Sequence, residues 1–64
     1  MKTLQEVLRA LQARVPSDAQ LGPVMLRIAL RTGVNLKQIK PEQNGDLTTV
    51  SKVLAVVQEL GYAI

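Results

Sequence analysis

The sequence predicts an all-α fold in a single domain of residues 1–64. Apolar residues recur at spacings of three and four along several segments, which is the period of a helix with one buried face. Residues that cap helices precede these segments, and glycines follow them. A chain of 64 residues is also too short for more than one core. We expect a compact four-helix bundle, or five helices if a short turn between the first two is helical.

The first helix is predicted over residues 4–14. Thr3 and Glu6 have the spacing of a capping box, in which each side chain accepts a hydrogen bond from the other residue's backbone. Pro16 should end the helix, because a proline restricts the backbone of the residue before it. Helical spacing then assigns the inward face to the apolar residues Leu4, Val7, Leu8, Leu11 and Val15.

The second helix is predicted over residues 23–32. The segment Ser17-Asp18-Ala19-Gln20 also has capping-box spacing, but Gly22-Pro23 interrupts the helix that it would start. A short turn is therefore expected over residues 17–21. Gly33 supplies the left-handed backbone conformation that commonly ends a helix.

A short third helix is predicted over residues 36–40. Asn35 can cap it, with Gln38 at the third position after the cap. Pro41 should end it, since the residue before a proline avoids the helical region. The following sequence PEQNGD, residues 41–46, is predicted as a turn or loop.

The last helix is predicted to begin at a cap provided by Thr48 or Thr49 and to end at Gly61. One apolar face persists along it for three turns, and Val56 lies outside that face. The tail Tyr62–Ile64 is β-capable, so a short C-terminal strand is a further alternative.

The composition argues against several classes of function. Without Cys or His the chain has no disulfide, no zinc ligand set and no histidine base, and its five acidic residues are scattered. We therefore expect no enzyme activity, no metal, no cofactor and no small-molecule substrate. No apolar run reaches the roughly 18 residues that cross a bilayer, and the N-terminus lacks a signal-peptide block. A cytoplasmic location without membrane contact is expected.

The positive charge is concentrated in the middle of the chain. The net charge is +3, and residues 19–41 contain Arg27, Arg31, Lys37 and Lys40 but no acidic residue. A basic segment in a small domain suggests a polyanionic partner. The alternative is a solvated basic face that binds no ligand.

A pattern of small, apolar and turn residues spans the same region. Its members are Ala29, Gly33, Val34, Asn35, Ile39, Asn44 and Gly45. They match the spacing Ala-x3-Gly-Val-Ser-x3-hydrophobic-x4-Asn-Gly, so the chain resembles the lambda-repressor/Cro-like, or Xre-type, helix-turn-helix regulators. Downstream, LTTVSKVLAVVQELGYAI resembles the closing helix of Xre-type antitoxins. The resemblance covers residues 28–64.

The resemblance implies a helix-turn-helix domain that regulates transcription by occupying an operator on double-stranded DNA. Base contacts in the family come mainly from the first turn of the recognition helix. Here that turn would present Asn35, Lys37, Gln38 and Lys40.

Contacts to phosphate need only charge and reach, and the candidates for them are Arg27, Arg31 and Lys52. This basic patch is small, so DNA binding would require a homodimer on a two-fold site. The dimer interface could be formed by Val56, Leu60, Tyr62 and Ile64. The alternative is that these residues close the core of the monomer.

The sequence departs from the family at two places. Pro41 falls in the second half of the recognition helix, while Val24 and Met25 replace the polar residues that open helix two. These departures favour an alternative function, a protein-interaction module that keeps the helix-turn-helix only as a scaffold. An antitoxin that grips a toxin, or a small phage-type inhibitor, would be of this kind.

Overall fold

The computed structural model describes residues 2–64, which form four helices and no strand. These are α1 (Leu4–Arg14), α2 (Asp18–Thr32), α3 (Pro41–Asn44) and α4 (Leu47–Glu59). The all-α prediction is confirmed. The strand considered for the C-terminal tail is not formed.

α1 has the predicted bounds and the predicted cap. The Glu6 N–H donates to Thr3 Oγ1 at 3.2 Å, and the Thr3 N–H donates to Glu6 Oε1 at 3.2 Å. The helix ends where the Val15 N–H donates to the Leu11 carbonyl oxygen. The capping box and Pro16 are both local signals, so the sequence was sufficient to predict the bounds of α1.

α2 is longer than predicted, because the interruption expected at Gly22-Pro23 does not occur. Ser17 caps the helix, its Oγ accepting a hydrogen bond from the Gln20 N–H at 3.3 Å. Pro23 lies inside the helix and leaves the Ala19 carbonyl oxygen without its helical donor. Both Pro23 and Ala19 are exposed, so water can bind that carbonyl oxygen. The separate turn predicted over residues 17–21 is therefore the first part of α2.

Residues 36–40, predicted as the third helix, are not helical. The Gln38 N–H donates to the Asn35 carbonyl oxygen at 3.1 Å and closes a single turn. Val34 and Leu36 are both buried, at 3% and 1% exposure. Two inward residues at a spacing of two fit an extended chain, since a helix would turn them about 200° apart.

Pro41 begins a helix instead of ending one. It occupies the first position of α3, where its fixed φ is helical and its missing N–H would have had no partner. The segment predicted as a loop is thus helical over Pro41–Asn44. The proline was identified correctly as a boundary, but the helix lies on its other side.

α4 begins one to two residues before the predicted caps. Asp46 Oδ2 accepts a hydrogen bond from the Thr49 N–H at 3.0 Å and another from its hydroxyl at 2.6 Å. A carboxylate is favoured here because unpaired N–H groups give the start of a helix a partial positive charge. Asp46, and neither Thr48 nor Thr49, is therefore the cap.

The core is entirely aliphatic and surrounds α4, which contacts each of the other three helices. It contains buried residues from α1, α2, α4 and the connections between helices. Its members are Leu4, Val7, Leu11, Val15, Leu21, Val24, Ile28, Val34, Leu36, Val50, Val53, Val56 and Val57. None of the four helices described for residues 2–64 has the length and apolar character that a bilayer span requires.

Candidate nucleic-acid interface

The connection from α2 to α3, residues 33–40, carries the four residues predicted to contact bases. Its buried residues Val34 and Leu36 alternate with the exposed residues Asn35 and Lys37. The left-handed conformation of Gly33, with φ of 76°, turns the chain out of α2. The core thus anchors this basic loop, which presents its polar side chains to solvent.

The side chain of Asn35 stabilises the turn of residues 35–38. Its Oδ1 accepts a hydrogen bond from the Lys37 N–H at 2.9 Å. The residue therefore caps a turn, although the turn does not continue into a helix. Gln38 is exposed and does not complete a capping box with Asn35 in the part of the chain that the structure describes.

A groove separates the basic loop from α2. It has a volume of about 230 Å³ and is lined by Asn35 and Lys37 from the loop and by Gly22, Met25, Leu26 and Ala29 from α2. The loop face of the groove is polar and basic, whereas the helix face is apolar. The structure brings Asn35 and Lys37 together at this groove, and Gln38 and Lys40 are exposed on the same loop without lining it.

The three candidate phosphate contacts do not form one surface with the loop residues. These candidates are Arg27, Arg31 and Lys52. Arg31 forms an ion pair with Glu59, which links the end of α2 to the end of α4. Arg27 is exposed and forms no ion pair among residues 2–64, but it lies on the other edge of α2 from Lys37.

Lys52 lies on α4 near the carboxylate of Asp46. The hydroxyl and the backbone N–H of Thr49 hold the pKa of Asp46 below its ordinary value of 3.8, and the positive charge of Lys52 lowers that pKa further. The Asp46 carboxylate offsets part of the charge that Lys52 could offer to a phosphate. Lys37 and Lys40 of the loop, like Arg27, form no ion pair within residues 2–64.

The candidate dimer residues fall into two groups. Val56 is buried at 6% exposure and belongs to the core of the monomer, so its proposed role in an interface is corrected. Leu60, Tyr62 and Ile64 are half-buried against the core. An open cleft of about 610 Å³ is lined by Tyr62 and Ile64 together with Gln58, Gly61 and Ala63.

The C-terminal tail is held against α1 in this conformation. Arg14 Nε donates to the Ala63 carbonyl oxygen at 3.1 Å. The tail therefore packs on its own chain while leaving part of its apolar surface accessible.

Sequence reasoning missed the outer face of α2. Leu26 and Leu30 are 59% and 77% exposed, and Pro23 beside them is exposed as well. The signal was present, because a helix of this composition has more apolar residues than one inward face can hold. The predicted helix over residues 23–32 already contains both leucines, so helical spacing alone could have identified this face.

No group of three acidic side chains in residues 2–64 lies close enough to hold a metal ion. Comparison of the chain with protein-family models, curated proteins and solved structures gave no significant match.

Proposed function

We propose that the chain is a small DNA-binding regulator that acts as a homodimer in the cytoplasm. The observation that carries this proposal is the basic loop of residues 33–40. Lys37 and Lys40 are exposed on a segment fixed by buried residues, and no acidic residue occurs between Ala19 and Lys40. A fixed, positively charged segment is suited to contact the DNA backbone.

The absence of a helix at residues 36–40 changes the expected mode of binding. A recognition helix places several side chains on base edges in the major groove. A single turn offers fewer such contacts, whereas phosphate contacts require only charge and reach. We therefore propose binding that is mainly to phosphates, with Asn35 and Gln38 as the remaining candidates for contacts to bases.

We propose a dimer because one protomer carries too few positive charges to bind DNA tightly. Two protomers would double the phosphate contacts, and affinity for DNA rises steeply with that number. Leu60, Tyr62 and Ile64 provide the apolar surface for the dimer, next to the open cleft at the tail. A molecular mass by light scattering that stays at that of a monomer at all concentrations would contradict this part of the proposal.

Fluorescence anisotropy with a random DNA duplex tests the binding itself. Contacts from the two lysines of the loop, Lys37 and Lys40, predict a slope of log affinity against log salt of about −2 per protomer. Replacing Lys37 and Lys40 with Gln should reduce the size of that slope by about two. Lys2→Gln/Arg9→Gln is the matched control, since it also removes two exposed positive charges but leaves the loop intact. A slope near zero for the unmodified chain would overturn the proposal.

A second function is favoured by the exposed leucines of α2. Leu26 and Leu30 lie at a spacing of four and share one side of the helix. Apolar side chains in this position suit contact with another protein better than contact with a phosphate. The second proposal is therefore the protein-interaction module, of the antitoxin or small inhibitor kind.

A further inference from the structure

α2 is apolar on two opposite sides. Its inward side is buried through Leu21, Val24 and Ile28. Pro23, Leu26 and Leu30 form what we call the outer face, which is exposed although it is also apolar. A helix that is apolar around most of its circumference is normally covered on both sides. The outer face therefore has the character of a contact surface.

The edges of the outer face are positively charged. Residues advance by about 100° around a helix, which puts Arg27 on one edge of the face. The groove lies along the other edge, and Lys37 lines it opposite Leu26 and Ala29. Asp18 in the first turn of α2 lies on the groove side, one turn before Gly22, but no other acidic residue occurs in residues 18–40. Beyond that first turn, both edges favour a partner with negative charge.

A second copy of the chain does not suit this face. In an antiparallel two-fold pair each edge meets the same edge of the other copy, so that Arg27 approaches Arg27. In a parallel pair the edge with Arg27 meets the edge with Lys37. Both arrangements bring like charges together, which disfavours self-association through α2.

We propose that the outer face and its groove bind an acidic amphipathic helix of a partner protein. The apolar residues of that helix would pack on Leu26 and Leu30, and its Asp and Glu side chains would lie near Arg27 and Lys37. This is the helix-in-groove mode of recognition, in which apolar anchors at helical spacing supply affinity and flanking charges supply specificity. The inference rests on the protein-interaction role and does not require DNA binding.

The size of the surface fits a single helix as the occupant. α2 has 15 residues and is therefore about 22 Å long. Stable contacts between globular surfaces bury about 800 Å² on each partner, which is more than the exposed side of one such helix provides. A helical segment of about 15 residues would match the length of the face.

The test uses a synthetic helical peptide of about 15 residues. Leucines at helical spacing form its apolar stripe, and glutamates flank the stripe. A second peptide has lysines in place of the glutamates, and a third has the acidic composition in scrambled order. We expect the acidic amphipathic peptide to bind the whole chain more tightly than either of the other two, by about tenfold or more, as measured by fluorescence anisotropy.

The variant Leu26→Gln/Leu30→Gln should weaken binding of the acidic peptide at least about tenfold, which is typical of truncated anchors. Leu47→Gln is the matched control and should leave binding unchanged, since Leu47 is 62% exposed but does not line the groove. Far-ultraviolet circular dichroism and thermal unfolding check that the variants fold. Neither variant changes a charge, so the salt slope for DNA should stay the same.

Several results would overturn the inference. If the glutamate and lysine peptides bind equally and the double variant binds neither, the proposed preference for an acidic partner is wrong. The role of this face in protein interaction then still stands. If the double variant binds the acidic peptide as the unmodified chain does, neither the inference nor an interaction role for this face survives. Dissociation of a dimer by the double variant would show that a second copy covers the face, and loss of DNA binding would assign the face to DNA.

Discussion

Asn44 Oδ1 accepts a hydrogen bond of 3.0 Å from the backbone N–H of Gln5, 39 positions earlier in the chain. The Gln5 N–H is one of the donors in the first turn of α1 that no residue of the helix can satisfy. The last residue of α3 thereby caps α1 from a distance. This bond joins the end of α3 to the first turn of α1.

Asn44→Ala should lower the free energy of unfolding by about 1 kcal/mol, because it leaves the Gln5 N–H without its acceptor. Asn44→Asp is the control, since its carboxylate keeps an acceptor oxygen at the same place. Urea unfolding at neutral pH measures both. Equal stability of Asn44→Ala and the unmodified chain would mean that water replaces the side chain at no cost.

Asn44 also illustrates why some of the fold could be predicted and some could not. The sequence Asn44-Gly45 was interpreted as a turn, which uses local information alone, and its bond to Gln5 is invisible to such information. α1 was predicted with its correct bounds because its capping box and its terminating Pro16 are all local. The same local reasoning put the start of α2 too late, because it could not show that Pro23 faces solvent.

Pro23→Ala should raise the free energy of unfolding by about 2 kcal/mol. The new N–H can donate to the Ala19 carbonyl oxygen, and the cost of a proline inside a helix, about 3 kcal/mol, is removed. Part of the gain is lost because alanine leaves the unfolded chain more flexible. Pro16→Ala, outside any helix, controls for that flexibility and should lower stability slightly. An unchanged or lower stability of Pro23→Ala would show that α2 has already adapted to the proline.

The candidate site was harder to predict than the helices. Leu36 and Ile39 have a helical spacing, whereas Val34 and Leu36 have an extended one, so the six residues from Val34 to Ile39 are compatible with both patterns. Burial of Val34 and Leu36 decided between them. The four polar residues of the loop are exposed, as contacts to DNA would require, and their role as base contacts stays a prediction.

The cap of α4 should make stability depend on pH in the acidic range. The pKa of Asp46 is lowered in the folded chain by its bonds from Thr49 and by Lys52, so the ionised carboxylate favours folding. That contribution is present above the ordinary value of 3.8 and is lost as the pH falls through the lower pKa of the folded state.

Asp46→Asn isolates this effect, since asparagine also caps helices but does not titrate. We expect the unmodified chain to lose stability relative to Asp46→Asn when the pH is lowered from about 6 to about 2. Urea unfolding of both proteins at the two values measures the difference. A difference that stays constant with pH would mean that the carboxylate is bonded no better in the folded chain than in the unfolded one.

Pro41→Ala tests the corrected position of α3. If residues 36–40 were a helix cut short by the proline, alanine would extend it and increase the helical circular dichroism signal. Because these residues form a turn held by buried Val34 and Leu36, we expect no increase in helix content. We also expect a loss of about 0.4–1 kcal/mol in the free energy of unfolding, since alanine lacks the fixed φ that suits the first position of α3.

The same variant bears on DNA binding. If Pro41→Ala lengthened the helix, binding to a specific operator would become stronger. If the loop stays unchanged, the affinity for a random duplex and the salt slope of that affinity should both stay the same. We expect the second result, because Lys37 and Lys40 keep their charges and their anchor in the core. A gain in both helix content and DNA affinity in Pro41→Ala would restore the recognition helix that the sequence first suggested.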